Sequence, residues 1–394
     1  MTDTDGILVI NAGSSSVKFA LYGAGLALHM KGELESIGTA PRLSATKPDG
    51  TLLLQRAWVK DTGLHALLTE TVDWIDAQPD TARLAAVGHR VGIGGLEHTG
   101  PEIVTPAILD KLKSLIPLVP LHQPRNLEPI ELLAKSHPHL TQVACFDTAF
   151  HRTLPHVAQQ YGLPADIAAA GAQRYGFHGL SYEYISGRLA ELDPAAAQGK
   201  TIVAHLGSGA SLCALKDGKS IATTMGFSPL SGLVMGTRPG DLDPGLMIWL
   251  LRERGMSIDQ LEAMLYHDSG LKGVSGISND IRDLLASAEP KAAEAIALFV
   301  YKIVTEIGAL SAALGGLDTL VFTAGIGEHS ADIRARICAG CAWLGLRLSP
   351  DANTRGDGVI TAPDSRVTAR VIPTNEELMV ARHTASLTLP RRDD

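Results

Sequence analysis

Ile7-Leu-Val-Ile-Asn-Ala-Gly-Ser-Ser-Ser-Val-Lys-Phe-Ala-Leu21 reads as a buried strand, a Gly/Ser turn and a second strand. The same grammar returns at Ile202-Val-Ala-His-Leu-Gly-Ser-Gly-Ala-Ser-Leu-Cys-Ala-Leu215, with Gly13 matching Gly207 and Leu21 matching Leu215. A second echo follows in each half. Leu84-Ala-Ala-Val-Gly-His-Arg-Val-Gly92 and Thr319-Leu-Val-Phe-Thr-Ala-Gly-Ile-Gly327 are both apolar strands running into glycine loops. Two unequal halves on one plan predict a duplicated α/β fold with ligands in the cleft between them. The 394 residues agree, being too many for one hydrophobic core.

Helical spacing fills the intervals. Pro290 to Gly315 has proline at its start and glycine past its end, with Ile296, Phe299, Val300, Ile303, Ile307, Leu310 and Leu314 on one face. Asp61–Gln78 and Thr105–Ile116 read similarly, and Asn375–Ser386 reads as a last helix crossing back to the first half. Proline-rich Pro117–Pro129 is expected to be an irregular loop over a cleft. The expected domains are 1–148 with 378–394, and 149–377.

Composition removes several function classes. Hydrophobic residues are 45% and charged ones 19%, which excludes wholesale disorder. A net charge of −8 argues against a nucleic-acid or anionic-membrane binder. The longest uncharged stretch, Ser220 to Thr237, is broken by Gly226, Pro229, Gly232 and Gly236, so no transmembrane helix is expected. The acidic Met1-Thr-Asp-Thr-Asp5 start is unlike a signal peptide and predicts a cytoplasmic protein. Cys338 and Cys341 form a lone C-x-x-C without a second ligand pair, and read as plain buried cysteines.

The glycine turns come first among the chemistry-bearing features. Ser14-Ser-Ser16 and Gly207-Ser-Gly209 expose backbone N–H groups suited to phosphate oxygens, although neither is a Walker sequence and either alone is a plain hairpin. Two of them, one carrying Lys18 and the other preceded by His205, point to a nucleotide cleft. Gly325-Ile-Gly-Glu-His329 is expected as a loop between a strand and a helix capped by Ser330. Arg90 in Gly88-His-Arg90 and Arg238 in Met235-Gly-Thr-Arg-Pro239 sit among small residues, as anion clamps do. His178 lies in a similar setting, where a structural histidine is the plain reading. Asp147 ends an apolar strand, and Glu376 opens the last helix. With Asn11, these oxygens suit a water-held Mg²⁺ at a phosphoryl-transfer site.

Asn11-Ala-Gly-Ser-Ser-Ser-Val-Lys-Phe19, Gly88-His-Arg-Val91, Phe146-Asp-Thr-Ala-Phe-His151, Arg174-Tyr-Gly-Phe-His-Gly179, Met235-Gly-Thr-Arg238, Asp241-Leu-Asp-Pro-Gly245 and Pro373-Thr-Asn-Glu-Glu377 together resemble the acetate kinase signature set, in order and over almost the whole chain. The resemblance implies two ribonuclease-H-like domains of the actin-like, sugar-kinase/Hsp70 type, arranged as a homodimer. It implies the reaction ATP + acetate ⇌ ADP + acetyl phosphate, with Mg²⁺ or Mn²⁺ as cofactor. It makes Asn11 and Glu376 the metal residues, Asp147 the catalytic acid/base, and His178 and Arg238 transition-state stabilisers. Arg90, Gly92, Leu121, His122, Phe177 and Pro229 become substrate contacts. Lys18, His205, Leu206, Gly207, Ser208, Gly209, Asp280, Ile281, Arg282, Gly325, Ile326, Gly327, Glu328 and His329 become nucleotide contacts.

This chain departs from the family pattern at Ser208 (usually Asn), His329 (usually Asn), Pro239 (usually Ser) and Val91-Gly-Ile93 (usually Val-Val-His). An acetate carboxylate is already ionised at neutral pH, so the difficulty is bringing two anions together. Direct in-line transfer, with cations spread over the reacting oxygens, follows as the expected mechanism; Asp147 then organises Mg²⁺ and its waters. A propionate or other short-chain kinase is the alternative substrate reading. An actin-like assembly or chaperone ATPase is the alternative of another class, though it has no use for two buried arginines. A sugar kinase would want a polar pocket, which Leu121, Phe177 and Pro229 do not offer.

Overall fold

Ile7–Ile10 is apolar without alternation because its strand, β1 (Asp5–Ala12), is buried on both faces. It pairs antiparallel with β2 (Val17–Tyr22) and parallel with β6 (Arg83–Val91). The sheet is completed by β3 (Leu28–Glu35), β4 (Arg42–Thr46), β5 (Leu52–Ala57), β7 (Glu102–Ile103) and β8 (Thr141–Phe146), in the order β5-β4-β3-β2-β1-β6-β8-β7. The last helix, Glu376–Thr388, packs on β1, β6 and β8. Together they form the first unit, Met1–Ala149 with Asn375–Asp394.

The second unit, Phe150–Thr374, holds β9 (Lys200–Leu206), β10 (Ala210–Lys216), β11 (Lys219–Thr223), β12 (Thr319–Thr323), β13 (Gly358–Val359) and β14 (Thr368–Val371). Its order is β11-β10-β9-β12-β14-β13. This reproduces β3-β2-β1-β6-β8-β7 strand for strand, with the same antiparallel and parallel senses. The fold is a duplicated α/β fold. The structure is a computed structural model and describes residues 5–13, 16–60, 62–78, 83–120, 122–356 and 358–388.

The repeat differs from the sequence match in one respect. Four residues separate the paired Ala12 and Val17, but only three separate Leu206 and Ala210. The second turn is therefore tighter, and Ser211, not Leu212, stands across the ladder from His205 as Lys18 stands across from Asn11.

The predicted helix Pro290–Leu314 forms, and Gly315 caps it at φ 70°. It is long and apolar enough to cross a membrane. Instead Ile296, Phe299, Ile303, Ile307, Leu310 and Leu314 are buried, and the helix packs on β10 and β11. The other two expected helices run Leu64–Asp76 and Pro106–Ser114, the latter capped by Thr105; Asp61 lies outside the described residues.

Two expectations are corrected. Pro117–Pro129 is not an irregular loop: a 3₁₀ turn, Ile116–Leu118, leads into the helix Gln123–Ser136. Pro124 falls in that helix's first turn, where no N–H is missed, and buried Leu127, Ile130 and Leu133 hold the helix despite Pro129. The expected domain end at 377 is also displaced. Asn375–Glu377 belong to the first unit, since Tyr22 Oη donates to Asn375 Oδ1 and Glu376 pairs with Arg90.

Candidate active site

In the first unit, Gly88 is where the last helix meets the sheet. A Cβ there would stand 2.3 Å from Thr384 Oγ1 and 2.6 Å from Val380 Cγ1, so only glycine lets the helix approach β6 this closely. That approach sets the helix N-terminus beside Arg90, two residues along β6. Arg90 donates from Nη2 to Asp147 Oδ2 at 2.7 Å and from Nε to both Asp147 oxygens, while Nη1 meets Glu376 Oε2 at 2.5 Å. Asp147 follows β8 directly and its N–H donates to Val91 O. Burial works against the Arg90 cation, but the two acids outweigh it and hold its pKa above the usual value. Burial also pushes the Glu376 carboxyl up, against the pull of Arg90, with Glu377 adding to the rise and Lys18 opposing it.

Asn126 ties this cluster to the β1 turn: its Nδ2 donates to Ala12 O at 3.0 Å and its Oδ1 accepts from Gly92 N at 2.9 Å. Ser14, Ser15 and Leu121 lie outside the described residues. His122 is exposed, just before the helix Gln123–Ser136.

In the second unit, Gly207 and Gly209 face a row of nitrogen tips. A Cβ at Gly209 would stand 2.8 Å from Arg238 Nη2 and 3.3 Å from His178 Nε2; one at Gly207 would stand 3.9 Å from His205 Nε2. The imidazoles of His178 and His205 stack 4.1 Å apart at 18°. His178 precedes the helix Gly179–Leu192 in a left-handed conformation, φ 58° and ψ 24°, the kind of local strain that collects at functional sites. Arg238 Nη1 donates to Pro229 O at 2.8 Å. Among the described residues no carboxylate pairs with Arg238, and burial lowers its pKa. Backbone bonds from Ser269, Leu271 and Lys272 to Thr237, Met235 and Gly236 hold its loop. Phe177 and Pro229 are buried, and His151 Nε2 bonds the Phe177 carbonyl at 2.9 Å.

Other expected nucleotide contacts take different shapes. Gly325–His329 is not a loop but most of a short helix, Ala324–His329, while Ser330 caps the next one as expected. Glu328 turns inward there, its Oε1 accepting from Ala324 N at 2.7 Å and Thr374 N at 3.1 Å. The helix closes because buried Arg334 donates to the carbonyls of Gly327 and Glu328. Gly325 and His329 are exposed. Asp280 caps its helix and pairs with Arg282, which draws its carboxyl down to about 2. Leu206 and Ile281 are core side chains, able to offer a ligand only their backbones.

Sequence reasoning missed Asn126, Ser211, Tyr182 and Arg334, for none carries a motif that marks its partner. Cys338 and Cys341 are buried, and burial pushes both thiols up to about 12. Neither is a thiolate at neutral pH.

Among the described residues no group of three or more His, Cys, Asp or Glu could cage a metal ion. The donor set of the first unit nevertheless suits a hard, mostly hydrated cation. Glu376 bonds Arg90 through Oε2, and its Oε1 accepts no hydrogen bond among the described residues. Mg²⁺ wants one or two such oxygens, with water and phosphate completing its shell.

Residues 6–382 match the Acetokinase family. An acetate kinase of Rhodopseudomonas palustris (strain TIE-1) is 53% identical over 388 residues, covering 96% of this chain and 98% of that protein. Among solved structures, a propionate kinase from Francisella tularensis subsp. tularensis SCHU S4 superposes with a TM-score of 0.92 at 35% identity, covering 97% of this chain and 99% of that one. The Porphyromonas gingivalis acetate kinase gives 0.87 at 34% identity, with the same coverage.

Proposed function

The chain belongs to the acetokinase family, and from that premise we propose that it transfers the γ-phosphoryl group of ATP to acetate, reversibly and in one in-line step. The observation that carries the chemistry is Arg238: a largely buried guanidinium with no acid partner among the described residues, brought together with His178 Nε2 at the Gly207–Gly209 turn. Such an arrangement is pre-organised for an anion and has little reason to exist without one.

Roles follow unit by unit. In the second unit, the Gly207-Ser-Gly209 turn with His205 and Leu206 takes phosphate, Arg238 and His178 stabilise the transferring group, and Asp280–Arg282 with Gly325–His329 flank the nucleoside. In the first unit, Lys18 also serves the nucleotide. Arg90, oriented by its two carboxylates, takes the acyl or phosphoryl oxygens. Asn11 and Glu376 would hold Mg²⁺, with Asp147 ordering its waters. When bound, that ion neutralises charge on the β- and γ-phosphate oxygens. Gly92, Leu121 and His122 of the first unit, and Phe177 and Pro229 of the second, are assigned to the acyl side. Acetate arrives ionised, so no residue must remove a proton from it. The cytoplasm, where ATP is supplied, is the compartment this reaction suits.

A homodimer completes the proposal. The helix Pro244–Arg252 buries none of its side chains, and Leu246, Ile248, Trp249 and Leu251 are exposed on it. A helix that leaves this many large apolar side chains exposed suits burial against a second copy of the chain. Sedimentation velocity should show a dimer that Trp249→Glu converts to monomer; a monomeric parent chain would remove the assignment.

The catalytic proposal is tested by trapping acyl phosphate with hydroxylamine over formate, acetate, propionate, butyrate and valerate. Acetyl hydroxamate should form only with ATP and a divalent cation. ADP release with glucose but not with acetate would defeat it, as would ATP-dependent sedimentation without acyl phosphate. The F. tularensis neighbour, a propionate kinase, supports a second substrate reading in which propionate is preferred.

A further inference from the structure

We propose that Ser211, backed by Tyr182, is a positioning residue for the reaction: it sets the tautomer of His178 so that Nε2 carries the proton. The inference rests on the proposed role of His178 at the phosphoryl group, and goes beyond it by naming what makes His178 a donor.

Ser211 is fully buried on β10, and its Oγ lies 2.8 Å from His178 Nδ1 and 2.5 Å from Tyr182 Oη. Tyr182 is fully buried too, on the same helix whose first turn follows His178. A hydroxyl has one proton to give. The phenol, with a pKa of about 10, is the stronger donor of the two hydroxyls and gives its proton to Ser211. Ser211 must then give its own to His178 Nδ1. A neutral imidazole that accepts at Nδ1 donates at Nε2. That nitrogen is the one near the Gly209 position, alongside Arg238 Nη2. A tautomer reversed at this point would aim a lone pair, not a proton, at an anionic phosphoryl oxygen.

The stack on His205 keeps the ring from turning. His205 is held in the same way, with Nδ1 2.8 Å from Ser181 Oγ, itself 2.9 Å from Thr374 Oγ1. Two parallel imidazoles, each fastened at Nδ1 to a pair of hydroxyls, present their Nε2 atoms to the two glycines of one turn. A plainly structural histidine needs no such matched pair.

The test combines spectroscopy with kinetics on the full-length protein. With ¹⁵N-histidine labelling, His178, assigned by its loss in His178→Ala, should show a pyridine-type Nδ1 and a pyrrole-type Nε2. Ser211→Ala should mix the two tautomers and lower kcat about tenfold, the value of one lost hydrogen bond, while KM for ATP stays within about twofold. Ser211→Thr should restore both readouts, and Tyr182→Phe should lower kcat about threefold. Placed on His178→Ala, Ser211→Ala should cost nothing further, because the two act as one unit. A pyrrole-type Nδ1 in the parent protein overturns the proposal, as does an unchanged kcat in folded Ser211→Ala or a full additional loss in the double variant. The spectrum is read without substrate. Failure of the parent chain to make acetyl phosphate would therefore count against the function, whatever tautomer is found.

Discussion

Gly92→Val asks what sets the acyl chain length. Among the described residues, a Cβ at position 92 would meet one atom within 4 Å, Asn126 Oδ1 at 3.3 Å. One carbon therefore fits if the Asn126 amide yields by a few tenths of an ångström, and the described residues leave the rest of its surroundings within 4 Å open. If that space receives the acyl tail, each methylene the glycine admits gains about 0.8 kcal/mol, or about fourfold in kcat/KM. Valine should then cut the propionate-to-acetate ratio at least fourfold, and the butyrate-to-acetate ratio about fifteenfold, for two methylenes. Acetate itself should gain packing and show a lower KM. The complication is Asn126, which also holds Gly92 N and Ala12 O. Asn126→Ala is the control, since it breaks the clip without adding a carbon and should slow all three acids alike. Hydroxamate formation or coupled ADP release gives the three kcat/KM values. An unchanged propionate-to-acetate ratio in the valine variant, or the same change in ratio from Asn126→Ala, refutes the reasoning.

Other expectations follow from the same geometry. Arg238→Ala should lower kcat about a hundredfold to a thousandfold with the fold and ATP affinity nearly intact, because its guanidinium pairs with no acid among the described residues; near-full turnover at saturation would refute the clamp. Arg90→Ala should also cost roughly 3–5 kcal/mol of stability, since it strands buried Asp147 and Glu376, so urea unfolding separates the two arginines. EDTA should abolish activity and Mg²⁺ or Mn²⁺ restore it, while stoichiometric zinc in the purified protein would contradict the reading of Cys338 and Cys341. His89 and His151 are both pushed by burial from 6.5 to about 4. Their neutral forms favour the fold above pH 6.5, and that stability, on the order of 3 kcal/mol for each, should be lost as pH falls from 6.5 towards 4. His89→Asn should flatten the slope of melting temperature against pH over that window; an unaltered slope would remove His89 from the account.

The duplication was legible in the sequence because it is written in local patterns. An unbroken apolar run, a Gly/Ser turn and a second apolar run specify a buried hairpin wherever they occur, and they occur twice. The helix Pro290–Leu314 was legible for the same reason, with its proline start, glycine stop and three-and-four spacing all local. Arg90, Asp147, His178, Arg238 and Glu376 could be singled out as residues, because charged and imidazole groups among small apolar neighbours are unusual.

Their partners could not be singled out. Arg90 reaches across 57 positions to Asp147, and on to Glu376 at the other end of the chain, only because Gly88 lets the last helix lie on β6. Ser211 reads in sequence as one more small residue after a glycine turn. The shorter second turn decides its place in the ladder, and the helix Gly179–Leu192 then brings His178 and Tyr182 to its hydroxyl. Pro129 misled in the opposite direction, since buried Leu127, Ile130 and Leu133 outweigh one missing backbone donor. Local patterning selects elements through backbone preference and the period of burial. Which side chains then share a proton or a charge depends on how closely elements distant in the chain can pack, and only the tertiary structure decides that.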